Sequence, residues 1–230
     1  IGNLAESWKT SEDGKTWTFK LRQGVKFQDG AEFNADAVKK CFERILDPDL
    51  GSPRRSILSM ITAMEVIDPY TIAITTDEPF GPFLSQLATY NDAMLSPKAI
   101  DEYGKDYGNN PVGTGPYILK EWLPGEKMVF ERFEDYWGEK PETKTLVFKI
   151  IPENTTRVMA LQTGEVDIIG NVPPFQIEQL EANKDVQVEL IDGFRTIYLG
   201  MNFKNKPFDD VRVRQAINYA IDRDAIINTI

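Results

Sequence analysis

Carboxylates are the most abundant functional groups in this sequence, with 36 Asp and Glu against 26 Lys and Arg. Two of them held at a fixed separation would suffice for general acid-base catalysis. No spacing singles out such a pair, and Asp and Glu at this density mostly form a solvated face. Histidine is absent, which removes the side chain best suited to proton transfer near neutral pH, together with His-dependent triads and His-ligated metal sites. A calcium loop needs acidic residues alternating around a glycine, and neither Glu134-Asp135 nor Asp209-Asp210 supplies that pattern. Gly113-Thr114-Gly115 could present backbone N–H groups to a phosphate, but no Gly-Lys-Ser/Thr follows, and Pro116-Tyr117 leads into a strand where a phosphate loop would open a helix. Cys41 is the one thiol; it permits no internal disulfide and lies on a helical apolar stripe, so it reads as a core thiol and not a nucleophile. The reactive residues thus argue against catalysis: no enzyme, no cofactor and no metal site is expected from them.

The elements that would hold these residues are organised around the stretch from Asn110 to Gly138. Asn110-Pro111-Val112-Gly113-Thr114-Gly115-Pro116-Tyr117 reads as a backbone crossover. A hairpin follows, Tyr117 to Trp122 and Lys127 to Phe133, around Leu123-Pro124-Gly125-Glu126 with proline and glycine placed for a type II turn. Upstream, Leu4 to Thr10 and Thr16 to Arg22 form a half-buried hairpin, since Trp17, Phe19 and Leu21 alternate with polar residues. Asn34 caps a helix carrying Val38, Cys41, Phe42, Ile45 and Leu46 on one face, and Asp47-Pro48 stops it. Ser52-Pro53 predicts the cap and first turn of a short helix through Ile61; Met64 to Ile67 and Tyr70 to Thr75 predict a hairpin; Phe80 to Tyr90 and the stretch from Ser96-Pro97 predict helices. Downstream the pattern predicts strands at Thr145 to Ile151, Val166 to Ile169, Val186 to Ile191 and Thr196 to Asn202. Helices are predicted at Thr155 to Thr163, from Pro173-Pro174 to Asn183, and after Pro207-Phe208-Asp209-Asp210. Trp8, Trp17, Trp122, Tyr136 and Trp137 could line a ligand cleft, although aromatics in strands and turns more often pack inside.

At 230 residues with 41% hydrophobic composition the chain can bury a sizeable core. Its formal charge of -10 without a Lys/Arg block argues against a nucleic-acid partner. No apolar run approaches the ~20 residues that would cross a bilayer, so a membrane would be reached only through a partner or an anchor outside this sequence. The absent initiator Met, and an apolar helix pattern that stops at Ile230, lead to the expectation of a piece of something longer.

Several stretches together resemble one family. They are Leu4-Ala5-Glu6-Ser7-Trp8, Asp13-Gly14-Lys15-Thr16-Trp17-Thr18-Phe19, Gly24-Val25-Lys26-Phe27 to Asp29-Gly30, Val112 to Tyr117, Asp135-Tyr136-Trp137-Gly138, Thr156-Arg157, Gly164-Glu165-Val166-Asp167-Ile168, and Phe208 through Arg223. In this order they resemble the family 5 extracytoplasmic solute-binding proteins of oligopeptide, dipeptide and nickel ABC importers. The resemblance implies an α/β, mixed-sheet lobe of a type II-like periplasmic binding protein with an inserted α+β subdomain. Residues 1–28 and 111–200 would form the first lobe, 29–110 the insert, and 201–230 the entry to a second lobe. It implies capture of a peptide or similar small solute in an interlobe cleft, delivery to ABC permease subunits, and a location in the periplasm or on the outer face of the cytoplasmic membrane. The segment after the first long helix and the loop after the Pro-flanked helix approach the ligand in that family, which points to Arg54, Arg55, Tyr90 and Asn91. Nickel-importing members carry a guanidinium in that loop where this chain has Tyr90-Asn91-Asp92, whereas Gly138-Glu139-Lys140-Pro141 is similar to that subgroup. A nickel-chelate carrier, a carboxylate-based hydrolase and a sensory lobe stand as alternatives.

Overall fold

In the computed structural model the described residues are 2–89, 93–191, 193 and 197–229. The chain divides into two compact units, Ile1–Ile150 and Ile151–Ile230.

The first unit holds strands β1 (Ala5–Thr10), β2 (Thr16–Leu21), β3 (Ile61–Asp68) and β4 (Thr71–Thr76) in one sheet of order β1-β2-β4-β3. All pairs are antiparallel. β4 lies inside that order, and its run Thr71-Ile72-Ala73-Ile74, β-branched at three of four positions, is buried on both sides. β2 alternates: Trp17, Phe19 and Leu21 point inward, with Trp17 opposite Ile74 and Phe19 opposite Ile72. Helix α1 (Ala35–Leu46) lays Ala35, Ala37, Val38, Cys41 and Phe42 inward. It starts where expected because the Asn34 side chain accepts the Ala37 N–H at 2.9 Å. The core joins these faces to Val25, Phe27, Phe33, Leu58 and Phe83.

The short helices α2 (Arg55–Leu58) and α3 (Phe83–Leu87) contribute Leu58 and Phe83 to this core, and the rings of Trp17 and Phe83 stand 5.8 Å apart. The helix expected from Ser52-Pro53 begins two residues later and lasts one turn. Ser52 Oγ accepts the Arg54 N–H and holds a turn instead, and Ile61 belongs to β3. Helix α4 (Pro97–Tyr103) is capped by the buried Ser96.

β5 (Tyr117–Leu123), β6 (Lys127–Arg132) and β7 (Thr145–Lys149) make a second antiparallel sheet of order β5-β6-β7. Gly125, at φ 80°, takes the left-handed position of the expected turn. With both sheets antiparallel, the parallel pairings of a mixed sheet are not among the described residues.

The second unit contains α5 (Asn154–Gln162), α6 (Pro174–Glu181), α7 (Val211–Ala220) and α8 (Arg223–Thr229). Val158, Ala160 and Leu180 are buried in it. The three strands expected between 166 and 202 are not formed among the described residues. Ile168, Ile191 and Ile197 are 88%, 88% and 91% exposed. An alternating pattern marks a face; the strand forms only where a neighbour supplies the backbone hydrogen bonds.

Candidate functional site

The crossover is held by one side chain. Gln28 Nε2 donates to the carbonyls of Gly115 at 3.2 Å and Tyr117 at 2.7 Å, its Oε1 accepts the Gly113 N–H at 3.2 Å, and its own N–H donates to Gly113 O at 3.0 Å. The carboxamide suits this task because it carries donors and an acceptor on one plane. Trp137 Nε1 adds a bond to Thr114 O at 3.1 Å, and the Arg22 guanidinium lies 5.0 Å from the Trp137 ring centre. Gly113-Thr114-Gly115 thus feeds β5 as a strapped backbone and opens no helix.

Beside this frame, the two arginines singled out from the sequence diverge. Arg54, half-buried at the entry to α2, donates from Nη2 to Thr89 Oγ1 at 3.1 Å. It therefore joins the segment after α1 to the residue immediately before Tyr90. Arg55 is exposed and turns the other way: its Nε donates to Leu46 O at 2.9 Å, satisfying a carbonyl at the end of α1. It borders a shallow hollow of about 460 Å³ with Gly51, Ser52 and Ser56. Tyr90 and Asn91 lie outside the described residues. Thr89 was not singled out from the sequence; its position next to Tyr90 was the available signal.

Cys41 is buried, with Sγ donating to Leu95 O and accepting the Leu95 N–H, both at 3.2 Å. Desolvation pushes the thiol up to about 11, which leaves no thiolate for nucleophilic attack at neutral pH. Among the aromatics, Trp17 is core, whereas Trp8 and Trp122 are 38% and 41% exposed. They belong to β1 and β5, each at one end of its sheet's order. Among the described residues no group of three His, Cys, Asp or Glu side chains could hold a metal ion. No helix of the described residues is long and apolar enough to cross a membrane.

The family model for bacterial extracellular solute-binding proteins, family 5, matches residues 1–230. The chain belongs to this family. The glutathione-binding protein GsiB of Salmonella typhi is 42% identical over 225 residues, which is 97% of this chain and 44% of that protein. The fold matches the periplasmic binding protein DppA from Helicobacter pylori, solved with the peptide STSA, at TM-score 0.89 and 34% identity over 99% of this chain and 49% of that one. It also matches NikA from Brucella suis, solved with Fe(III)-EDTA, at TM-score 0.86 and 33% identity over 99% and 47%. This family 5 chain therefore spans less than half the length of each of these relatives. Helices and sheets combine in it as in those periplasmic binding proteins.

Proposed function

We propose that this chain forms part of the solute-binding component of an ABC importer, taking up peptides or related small solutes outside the cytoplasmic membrane and presenting them to permease subunits. The observation that carries the reading is the match along 97–99% of the chain to proteins named for binding glutathione or solved with a bound peptide. Residues 1–28 and 111–200 would belong to one lobe, 29–110 to an insert and 201–230 to the entry of a second lobe, with hinge closure around the ligand. Arg54 is the residue best suited to a solute carboxylate, because a guanidinium already oriented toward Thr89 loses little freedom when it engages a carboxylate in a bidentate fork. Tyr90 and Asn91 follow Thr89 in sequence and complete the proposed contact set; Arg55, turned to Leu46 O, would contribute at its margin.

Calorimetric titration with glutathione and with short peptides, with and without nickel, tests this. Metal-independent, stoichiometric heat that falls ~10-fold or more in Arg54→Ala is expected, given ~1.5–3 kcal/mol for a hydrogen bond to a charged group. Heat only in the presence of nickel would replace the peptide reading by a chelate carrier. Turnover of a peptide that disappears when a single Asp or Glu is replaced would replace it by a hydrolase.

A further inference from the structure

The first unit carries a groove of about 540 Å³ between the segment Tyr103–Val112 and strand β5, bordered by Asp29, Tyr103, Asn109, Asn110, Glu121 and Trp122. That volume is in the range of small-molecule sites. The register of β5 against β6 slips between Leu119 and Glu121. Such an irregularity re-aims side chains, and the successive residues Ile118 to Trp122, on both sides of the slip, all border the groove.

The atoms left over in this groove are mostly acceptors. Asn109 and Asn110 turn their Nδ2 donors to Asp106 at 2.6 and 3.1 Å, so their amide oxygens make no hydrogen bond among the described residues. Glu121 pairs through Oε2 with Lys127 at 2.8 Å, which leaves Oε1. The Asp29 oxygens each accept one bond, from Ala31 N–H and Ser96 Oγ, and a carboxylate oxygen accepts two. The cation on the lining, Lys120, pairs with Glu131 at 3.4 Å. An anion would meet two carboxylates here, and a neutral polyol would bring acceptors with little to donate to them. An ammonium ion has three donors and no acceptor, is drawn to an aromatic face, and can lay an alkyl chain on Pro111, Val112 and Ile118. The formal charge of -10 raises the local concentration of cations around the protein.

We propose that this groove binds an alkylammonium ion, with the charged head between the carboxylates and the asparagine oxygens and the chain against Trp122. The site lies wholly in the first unit and does not rest on the solute-binding reading above.

The probe is 1,5-diaminopentane, titrated calorimetrically into the protein at low salt, with 1,5-pentanediol as the neutral control. Saturable one-to-one binding is expected for the diamine and none for the diol. Affinity should fall ~10-fold or more in Glu121→Gln and in Trp122→Leu, fall with added salt, and stay unchanged in Arg54→Ala. Both substituted positions are exposed, so the variants should fold; matching urea midpoints establish it, and Asn109→Lys, which puts a cation into the groove, replaces any variant that does not. No saturable binding, equal binding of the diol, or unchanged affinity in either variant overturns the proposal.

Discussion

Replacing Gln28 by alanine should loosen the first unit by about 2 kcal/mol. Three side-chain hydrogen bonds disappear, to Gly115 O, Tyr117 O and Gly113 N, while the backbone bond from Gln28 N–H to Gly113 O remains. At a net ~0.5–1.5 kcal/mol each the loss would reach ~1.5–4.5 kcal/mol. Gly113, Gly115 and Tyr117 are all half-buried, so water recovers part of it and the lower half of that range applies. Urea unfolding followed by tryptophan fluorescence is the assay, because Trp8, Trp17, Trp122 and Trp137 all lie within Ile1–Ile150 and report that unit alone. Gln28→Glu separates the hydrogen-bond argument from a packing effect. A carboxylate still accepts from Gly113 N–H but faces two carbonyls with no donor, so near neutral pH it should destabilise more than alanine. Its folded pKa would then rise above the ordinary glutamate value of ~4.3. The stability contributed by the protonated form is fully present below that ordinary value and is lost as pH rises through the folded one, so Gln28→Glu should recover on acidification while Gln28→Ala does not. A loss under ~0.5 kcal/mol for alanine, the size usual for an indifferent surface change, or a Gln28→Glu variant with no pH dependence relative to alanine, refutes the clasp.

Cys41 should resist alkylation at pH 8 in the folded protein and react only on unfolding. Because the unfolded thiol ionises near 9.0 and the buried one near 11, folding stability should drop by roughly 3 kcal/mol as pH rises through that window. Cys41→Ala should lack that component; identical pH profiles would rule it out. Ser96→Ala should cost about 2–3 kcal/mol in the same urea assay, since the buried hydroxyl donates to Asp29 at 2.5 Å and caps α4 through Ala99 N–H; a neutral result would contradict both roles. In hydrogen exchange, amides of β4 should be the slowest of the first unit and those of 186–191 close to the free-chain rate. Protection of 186–191 equal to that of β4 would show that a partner strand is in place.

What could be read directly from the sequence was local. Asn34 and Ser96 announce α1 and α4 because an N-cap needs only a side-chain acceptor within three residues of a free N–H. Pro124-Gly125 fixes the β5-β6 hairpin for the same reason: the turn's two angles belong to those two residues. Ser52-Pro53 shows where a local rule is ambiguous, since Ser52 Oγ can serve a helix cap or a two-residue turn with the same geometry, and the burial of Leu58 and Ile61 selects the turn followed by one helical turn and a strand. Trp8 and Trp122 escape the burial usual for strand aromatics for a different reason. Burial of an aromatic depends on what covers its strand, and β1 and β5 lie at the ends of their sheets.

The candidate site was legible as a neighbourhood and not as a contact. The family resemblance implies that the segment after α1 and the loop after α3 both approach the ligand. Only the fold shows that Arg54 reaches Thr89 across 35 positions while Arg55 turns back to Leu46. The Gln28 clasp spans 85 to 89 positions; no periodicity within a window of ten or twenty residues carries such information. The segments around Ile168, Ile191 and Ile197 are the converse case. The apolar alternation of Val186 to Leu190 is as regular as that of β2, yet β2 has β1 on one side and β4 on the other, and none of these segments has a paired strand among the described residues. The difference between them lies in the neighbours and not in their own residues. A strand is therefore a property of a pair, and exposed isoleucines in an alternating run mark where an edge partner would have to act.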